Sequence, residues 1–573
     1  MVLKFRFLLL LLIVMMVFTS CSLDSILGYI VDLDSNIVNN ITTQTDKIIE
    51  NPIEDFVYDD IYTFSVTKEE LEARYTLTPE DIDNSKAILY EMVELSKTTD
   101  NVEKIEELSI EFENAYYHIV QQTTISMIIY YYDMVDEIGK TRYVETLDMY
   151  YDVYNTYNDC LKLMYLESPV ADQIFIEWSK EDLEALREYD PILVELEKEI
   201  EALQVQYNQL SDYDPDYNNK CVEIYKQLII TGNKLARLKK YDNYYEYASA
   251  KVYERDYETK DLEAFHQYVA QYVVPVYDNV IVNATSYQNW MSDEKKYILN
   301  QYLNYPFYSS EINYVNDYFS SLQGKMGESM RDMFDGKNCL FSYEENSHPT
   351  AFQTYLYKDD TPFCFFGSNG QTARTIIHEV GHYYAAKSNP TIESYDLCET
   401  HSQGNEFLFL SYNKQNLDGE IFNVARAAQL RRTGFVMIIA TIVDEFEQRL
   451  YVLDDETILS MTSEDFDNIM TDVCERYGGA QWVRTTVSNP YSYWRLVCIS
   501  NPVYYISYAV SATAAVNILA LAEDDYDAAV AAYTILVEGV TYEDGFLGAL
   551  QKAGLTTPFE EETFIKIGEV FSK

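Results

Sequence analysis

The sequence predicts a mainly α-helical protein with one small antiparallel sheet, and three observations carry that expectation. From about residue 66 to 330, apolar residues recur every three or four positions with charges between them, the period of helices that bury one face. The period lapses between 338 and 367, where three short runs alternate or turn wholly apolar. Helical patterns then resume and close the chain. With 47% hydrophobic residues and 54 tyrosines, the 573-residue chain can bury a large core and form several subdomains. The expected organisation is a leader at 1–20, a tether at 21–60, an N-terminal helical region at 61–330 and a region at 331–573 that carries the chemistry.

Lys4 and Arg6 precede the apolar run Phe7 to Phe18, whose twelve residues are too few to cross a bilayer and fit a secretory signal instead. The run ends in Phe18-Thr19-Ser20-Cys21, which resembles a bacterial lipoprotein cleavage box with Cys21 as the acylated residue. An ordinary cleaved signal with an incidental cysteine is the plainer alternative. Both place the protein outside the cell, and the first anchors it to the membrane through Cys21. Residues 22–60 are rich in Ser, Asn, Thr and Asp, as a tether would be.

A formal charge of −52 and a pI near 4.3 exclude nucleic acid as a natural partner, because phosphates are bound by basic patches. The same field would favour cationic peptides, although solubility alone accounts for it more simply. Eight cysteines contain no Cys-x-x-Cys pair, and 8 − 1 = 7 remain once Cys21 is set aside, so no disulfide framework is implied.

Taken in order, Thr67-Lys-Glu-Glu70 opens a helix with a capping box. Residues 183–211 and 219–240 read as a helical hairpin. Its turn carries Asp212, Asp214, Asp216 and Glu223 at the spacing of a calcium loop, but Pro215 and Tyr217 stand where that loop cannot accept them, and a solvated turn is expected. Strands are expected at 338–343, 350–357 and 361–366, ending at Gly367-Ser-Asn-Gly370. An edge strand there could pair with an extended peptide backbone or serve packing alone. Pro390 ends the next helix, and Ser394 or Asp396 can cap another over Tyr395–Tyr412. Further helices are expected at 421–452, 463–477 and in the tail from Ser511.

The chemistry concentrates in His378-Glu379-Val380-Gly381-His382. Histidines four apart project from one helix face about 6 Å apart along the axis, so both imidazoles can reach one tetrahedral Zn²⁺. Glu379 points to the side of that face, where a carboxylate can act as general base on a water beside the metal. With six histidines in 573 residues, this pattern rarely arises by accident on an ordinary amphipathic helix. A catalytic zinc needs a third protein ligand and an open position. Glu399 is the candidate, with Glu393 and Glu406 close by in sequence.

The second helix reads Glu399-Thr-His-Ser402-Gln403-Gly-Asn-Glu406, which resembles the E-x-x-S-x-x-x-E segment of the M3 family of zinc oligopeptidases, the thimet oligopeptidase and oligopeptidase F relatives. In that resemblance Glu399 matches the third zinc ligand, and the loop from His382 is shorter than the family usually shows. Residues 239–257 resemble the family's Tyr-rich helix, and Gly548 to Gly554 its C-terminal end. Trp494 to Tyr508 resembles the late segment whose tyrosines contact substrate and oxyanion, here Tyr504 and Tyr508. Cys498 stands where many relatives have a histidine, so that an auxiliary transition-state donor is either missing or supplied by His401 or Tyr505.

The resemblance covers about residues 230–570. It implies a zincin-like helical metallopeptidase, with two helical halves around a deep channel, one zinc ion and short peptides as substrates. Glu406 and Gln403 would orient the histidines. Two rival readings are an inactive peptide-binding surface lipoprotein and a structural zinc site closed by His401 as fourth ligand.

Overall fold

The computed structural model describes residues 65–573 except 99–101, 177, 179–182, 184–190, 209, 211–214, 278–289, 305–313, 349–350, 369–371, 390–393 and 480–492. The leader, Cys21, the tether, Asp212, Asp214, Pro390 and Glu393 therefore lie outside the described residues. The chain divides into two compact units. One is formed within Phe56–Pro191 and Asp332–Gln371, the other within Ile192–Arg331 and Thr372–Lys573.

In the first unit the helix Lys68–Glu72 begins at Thr67, whose hydroxyl accepts from Glu70 N–H at 3.1 Å while Glu70 accepts from Thr67 N–H at 2.8 Å. This is the capping box that the sequence spells. Three longer helices follow: α1 (Pro79–Ser96), α2 (Val102–Tyr132) and α3 (Glu137–Glu167). Leu89, Met92, Phe112, Tyr116, Tyr150 and Tyr157 meet in their shared core, with the Phe112 and Tyr157 rings stacked at 5.3 Å.

The far end of α2 packs Ile125, Ile128 and Ile129 on a sheet of β1 (Cys339–Phe341), β2 (Ala351–Leu356) and β3 (Thr361–Phe366). The expectation of an antiparallel sheet needs correction. The order is β1-β3-β2, with β2 antiparallel to β3 but β1 parallel to it. A 3₁₀ turn at Tyr357–Asp359 joins β2 to β3 as a hairpin, which fills one side of β3. β1 then takes the remaining side, where its direction matches. The last strand is therefore central.

In the second unit, the helices up to Tyr451 include α4 (Tyr217–Leu238), α5 (Thr259–Tyr268), α6 (Ala373–Ser388), α7 (Tyr395–Tyr412) and α8 (Gly419–Tyr451). The last three carry the site. After them come α9 (Ile506–Asp524), α10 (Tyr526–Glu538) and α11 (Glu561–Ser572). Ser394 caps α7 by accepting from Leu397 N–H, as its position in the sequence suggests. Nearly every residue of α7 is buried, because α6, α9 and α10 pack around it.

Two glycines let the helices come this close. A Cβ at Gly381 would lie 2.8 Å from the His401 carbonyl oxygen and 2.8 Å from Ser402 Cα. At Gly404, on α7, it would lie 2.7 Å from Ile518 Cδ1. The apolar helix α9, with mean hydropathy and length enough for a membrane span, is a core element that is 78% buried.

Candidate metal centre

The crossing of α6 with α7 brings His378, His382 and Glu399 together, with one ligand atom from each lying within 4.8 Å of the others. Glu399 Oε2 is 3.6 Å from His378 Nε2 and 4.0 Å from His382 Nε2. Donors about 2.0–2.2 Å from a tetrahedral zinc stand about 3.4 Å apart, so the three fit one ion with slight closing. The two imidazole rings are 5.0 Å apart and nearly perpendicular. Ser402 Oγ donates to Glu399 Oε2 at 3.2 Å and steadies the carboxylate from within its own helix.

The remaining nitrogen of His378 is also engaged. Its Nδ1 lies 2.7 Å from Glu406 Oε1, and Gln429 Nε2, from α8, donates to the other oxygen of Glu406. This leaves Nε2 of His378 for the centre. Glu406, one of the three acids open as third ligand, thus serves as the histidine's partner, and Glu399 occupies the ligand side. Gln403 does not share that work, since its amide donates to Ser511 Oγ at 3.2 Å. Gln429 carries no signal in the sequence. It is an ordinary amide on an amphipathic helix, and only tertiary packing gives it Glu406.

Acidic groups dominate the electrostatics of the site. Burial works against the His378 imidazolium. The Glu406 hydrogen bond and the charges of Glu406, Glu399 and Glu379 outweigh it and push the group up to about 10. Burial, followed by the charges of His378 and His401, holds His382 well below its usual value. Three carboxylates around two imidazoles leave negative charge that a divalent cation would neutralise. Glu379 is 3% exposed, on the same helix as the two histidines.

His401 does not close the centre. Its Nε2 faces the Leu536 carbonyl at 3.1 Å, toward α10, and burial lowers it to about 4. Among the described residues, the group that could hold a metal contains only His378, His382 and Glu399. One tetrahedral position is then left for water or substrate.

Tyr504 packs its ring on Tyr253 at 5.6 Å, on Tyr395 at 5.6 Å and on Tyr508 at 5.0 Å. Burial, then the neighbouring Tyr508 and the Glu399 carboxylate, raise its phenol well above the ordinary range, so it stays a proton donor. Tyr508 is fully buried beside it. Cys498 instead lies in the core near Tyr225 and Glu447, its thiol raised by burial.

A structure of PZ peptidase A with inhibitor 2 superposes with a TM-score of 0.64 at 18% identity, covering 86% of this chain and 96% of that one. The chain has that fold. A protein described as a candidate oligoendopeptidase F from Bacillus anthracis str. Ames gives 0.63 at 17% identity over 86% and 96% of the two chains. The oligoendopeptidase-F of Enterococcus faecium gives 0.53 at 13% identity over 86% and 97%. No protein-family model and no curated protein matches the sequence. At these identities the agreement is one of backbone, and the donor set argues separately from it.

Proposed function

We propose that this chain is a zinc-dependent endopeptidase that hydrolyses short oligopeptides outside the cell. The observation that carries the reading is the convergence of His378, His382 and Glu399 on one point, with a buried glutamate next to the first histidine in the chain. The fold shared with PZ peptidase A and the oligoendopeptidases F supports the choice of peptide as substrate.

When bound, zinc supplies a Lewis acid that polarises the scissile carbonyl and makes a neighbouring water easier to deprotonate. Glu379 takes the proton from that water as it attacks and passes it to the leaving amine. The phenol of Tyr508 or Tyr504 donates a hydrogen bond to the oxyanion that forms. Glu406 accepts from His378 Nδ1–H, fixing the tautomer that presents Nε2 to the metal.

Export follows from the signal at 1–20, and attachment to the cell surface from acylation of Cys21. A net charge of −52 argues against nucleic-acid partners. The test is a quenched-fluorescence peptide series of increasing length, run with and without chelator beside zinc analysis of the purified protein. Chelator-sensitive cleavage that favours short peptides supports the reading. Stoichiometric zinc with no cleavage of any peptide would contradict it.

A further inference from the structure

The segment that delivers Tyr504 and Tyr508 begins with an unusual turn. Tyr504 N–H donates to the Asn501 carbonyl at 3.3 Å, closing four residues with Pro502 and Val503 at the centre. Val503 has φ +65°, in the left-handed region, and is 1% exposed. A positive φ after proline is the type II arrangement, and that position ordinarily takes glycine or asparagine. A β-branched residue there is strained.

The surroundings hold the conformation from three sides. Glu447 Oε1, on α8, accepts from Val503 N–H at 2.9 Å. Arg255 Nη2 donates to the Val503 carbonyl at 2.7 Å, to the Tyr504 carbonyl at 3.4 Å and to Ser507 Oγ at 3.1 Å. Tyr253 O–H donates to the Pro502 carbonyl at 2.8 Å. Arg255 is itself fixed, with Nη1 on Ser249 Oγ at 3.1 Å and its guanidinium 4.8 Å from the centre of the Tyr253 ring. It is only 8% exposed, and Asp396 and Asp444 balance its charge. Both peptide groups flanking Val503 are thus held by buried side chains, and the contact to the Arg255 guanidinium is of the strong, charge-assisted kind.

Glycine at 503 would meet the backbone requirement without any such clamp, so the fold alone does not explain the arrangement. Its consequence lies in the next residue. Tyr504 stacks on the same Tyr253 and on Tyr395, the first residue of α7, four positions before the ligand Glu399. We propose that Arg255 and Glu447 are positioning residues that hold the left-handed turn at Val503, and through it the phenols of Tyr504 and Tyr508, in register with Glu399. This rests on the peptidase reading, in which those phenols meet the scissile carbonyl.

Arg255→Lys keeps the charge but cannot span the Val503 carbonyl and Ser507 together. It should lower kcat by about tenfold or more, with KM within about twofold and zinc content unchanged, the signature of an interaction realised in the transition state. Adding Val503→Gly, which adopts the turn unaided, should restore at least half of the loss on a logarithmic scale. Glu447→Met should lose activity in the same way, and Glu447→Gln, which keeps an acceptor for Val503 N–H, should recover most of it.

A second readout needs no catalysis. With 3-fluorotyrosine placed at position 504, the ¹⁹F resonance should shift or split in Arg255→Lys and return in Arg255→Lys/Val503→Gly. Should Arg255→Lys leave kcat and the resonance unchanged, or Val503→Gly rescue neither, the clamp is wrong. If the parent cleaves no peptide the peptidase reading fails, and the resonance still judges the clamp.

Discussion

The crossing of α6 with α7 and the turn at Asn501–Tyr504 both bring backbone to a place where an ordinary side chain is unwelcome, and they handle it in opposite ways. At the crossing the side chain is removed, since a Cβ on Gly381 would press within 2.8 Å of the His401 carbonyl. At the turn the side chain is kept, and Val503 is held at φ +65° by partners from Tyr253, Arg255 and Glu447. The first solution is local and can be read inside five residues. The second is assembled from residues as far as 249 positions away. Two of the three grouped side chains, His378 and His382, are thus set within a short motif, while the donors expected at the oxyanion depend on the integrity of the whole unit.

The largest effect should come from Glu379→Gln, which leaves His378, His382 and Glu399 intact. Peptide cleavage should fall by about 10²–10⁴-fold with zinc content unchanged, as measured by metal analysis beside a quenched-peptide assay. Loss of zinc in that variant would place Glu379 among the ligands instead. Next comes the crossing itself. Gly381→Ala should cost about 1–3 kcal/mol of stability by overpacking, and it should lower zinc affinity as well, because it pushes His378 and His382 away from Glu399. Urea unfolding and a competitive zinc titration read the two losses, and normal affinity would show that the helices can part without disturbing the ligands.

Glu406→Gln should weaken zinc binding by about 10–100-fold, since it removes the charge that orients His378 through Nδ1. Gln429→Leu should do less, because it acts one bond further out. Equal effects would mean that Gln429 does more than hold Glu406.

The smallest effect concerns pH in the metal-free protein, where two histidines act in opposite senses. His401, lowered by burial to about 4, prefers the neutral form when folded. Its contribution is present above the unfolded value near 6.5 and is lost as pH falls toward 4. His378, raised to about 10 against the pull of burial by Glu406, Glu399 and Glu379, contributes below about 6.5 and loses that as pH rises toward 10. Urea midpoints should therefore fall on both sides of neutrality. Saturating zinc should flatten the alkaline limb, because it replaces the proton on His378. An alkaline limb that zinc leaves unchanged would remove His378 from the ligand set.

How much of this could be read in the chain follows the same division. The helix starts at Thr67 and Ser394 were legible because capping chemistry is local, and the grouping of His378, His382 and Glu399 because two histidines at one helical interval limit where a third donor can meet them. The sheet order was not legible. Alternation gives the strands, but nothing in 338–367 says that β1 joins the far side of β3. Gln429, Arg255 and Glu447 were invisible for a related reason. Gln429 and Glu447 are ordinary polar residues on a helix, and Arg255 an ordinary one in the loop before α5, until the fold supplies a partner. Conversely, Gln403 and His401 sat at suggestive positions in the motif, yet packing turned them toward Ser511 and Leu536.

The central claim is that one ion held by His378, His382 and Glu399 does the work, and a zinc titration of cleavage tests it most directly. Protein stripped by chelator and returned to zinc in measured steps should regain quenched-peptide hydrolysis in proportion, saturating at one ion per chain, and Glu399→Ala should fail to regain it at the same concentrations. Hydrolysis that survives stripping, or that returns fully in Glu399→Ala, would contradict the account.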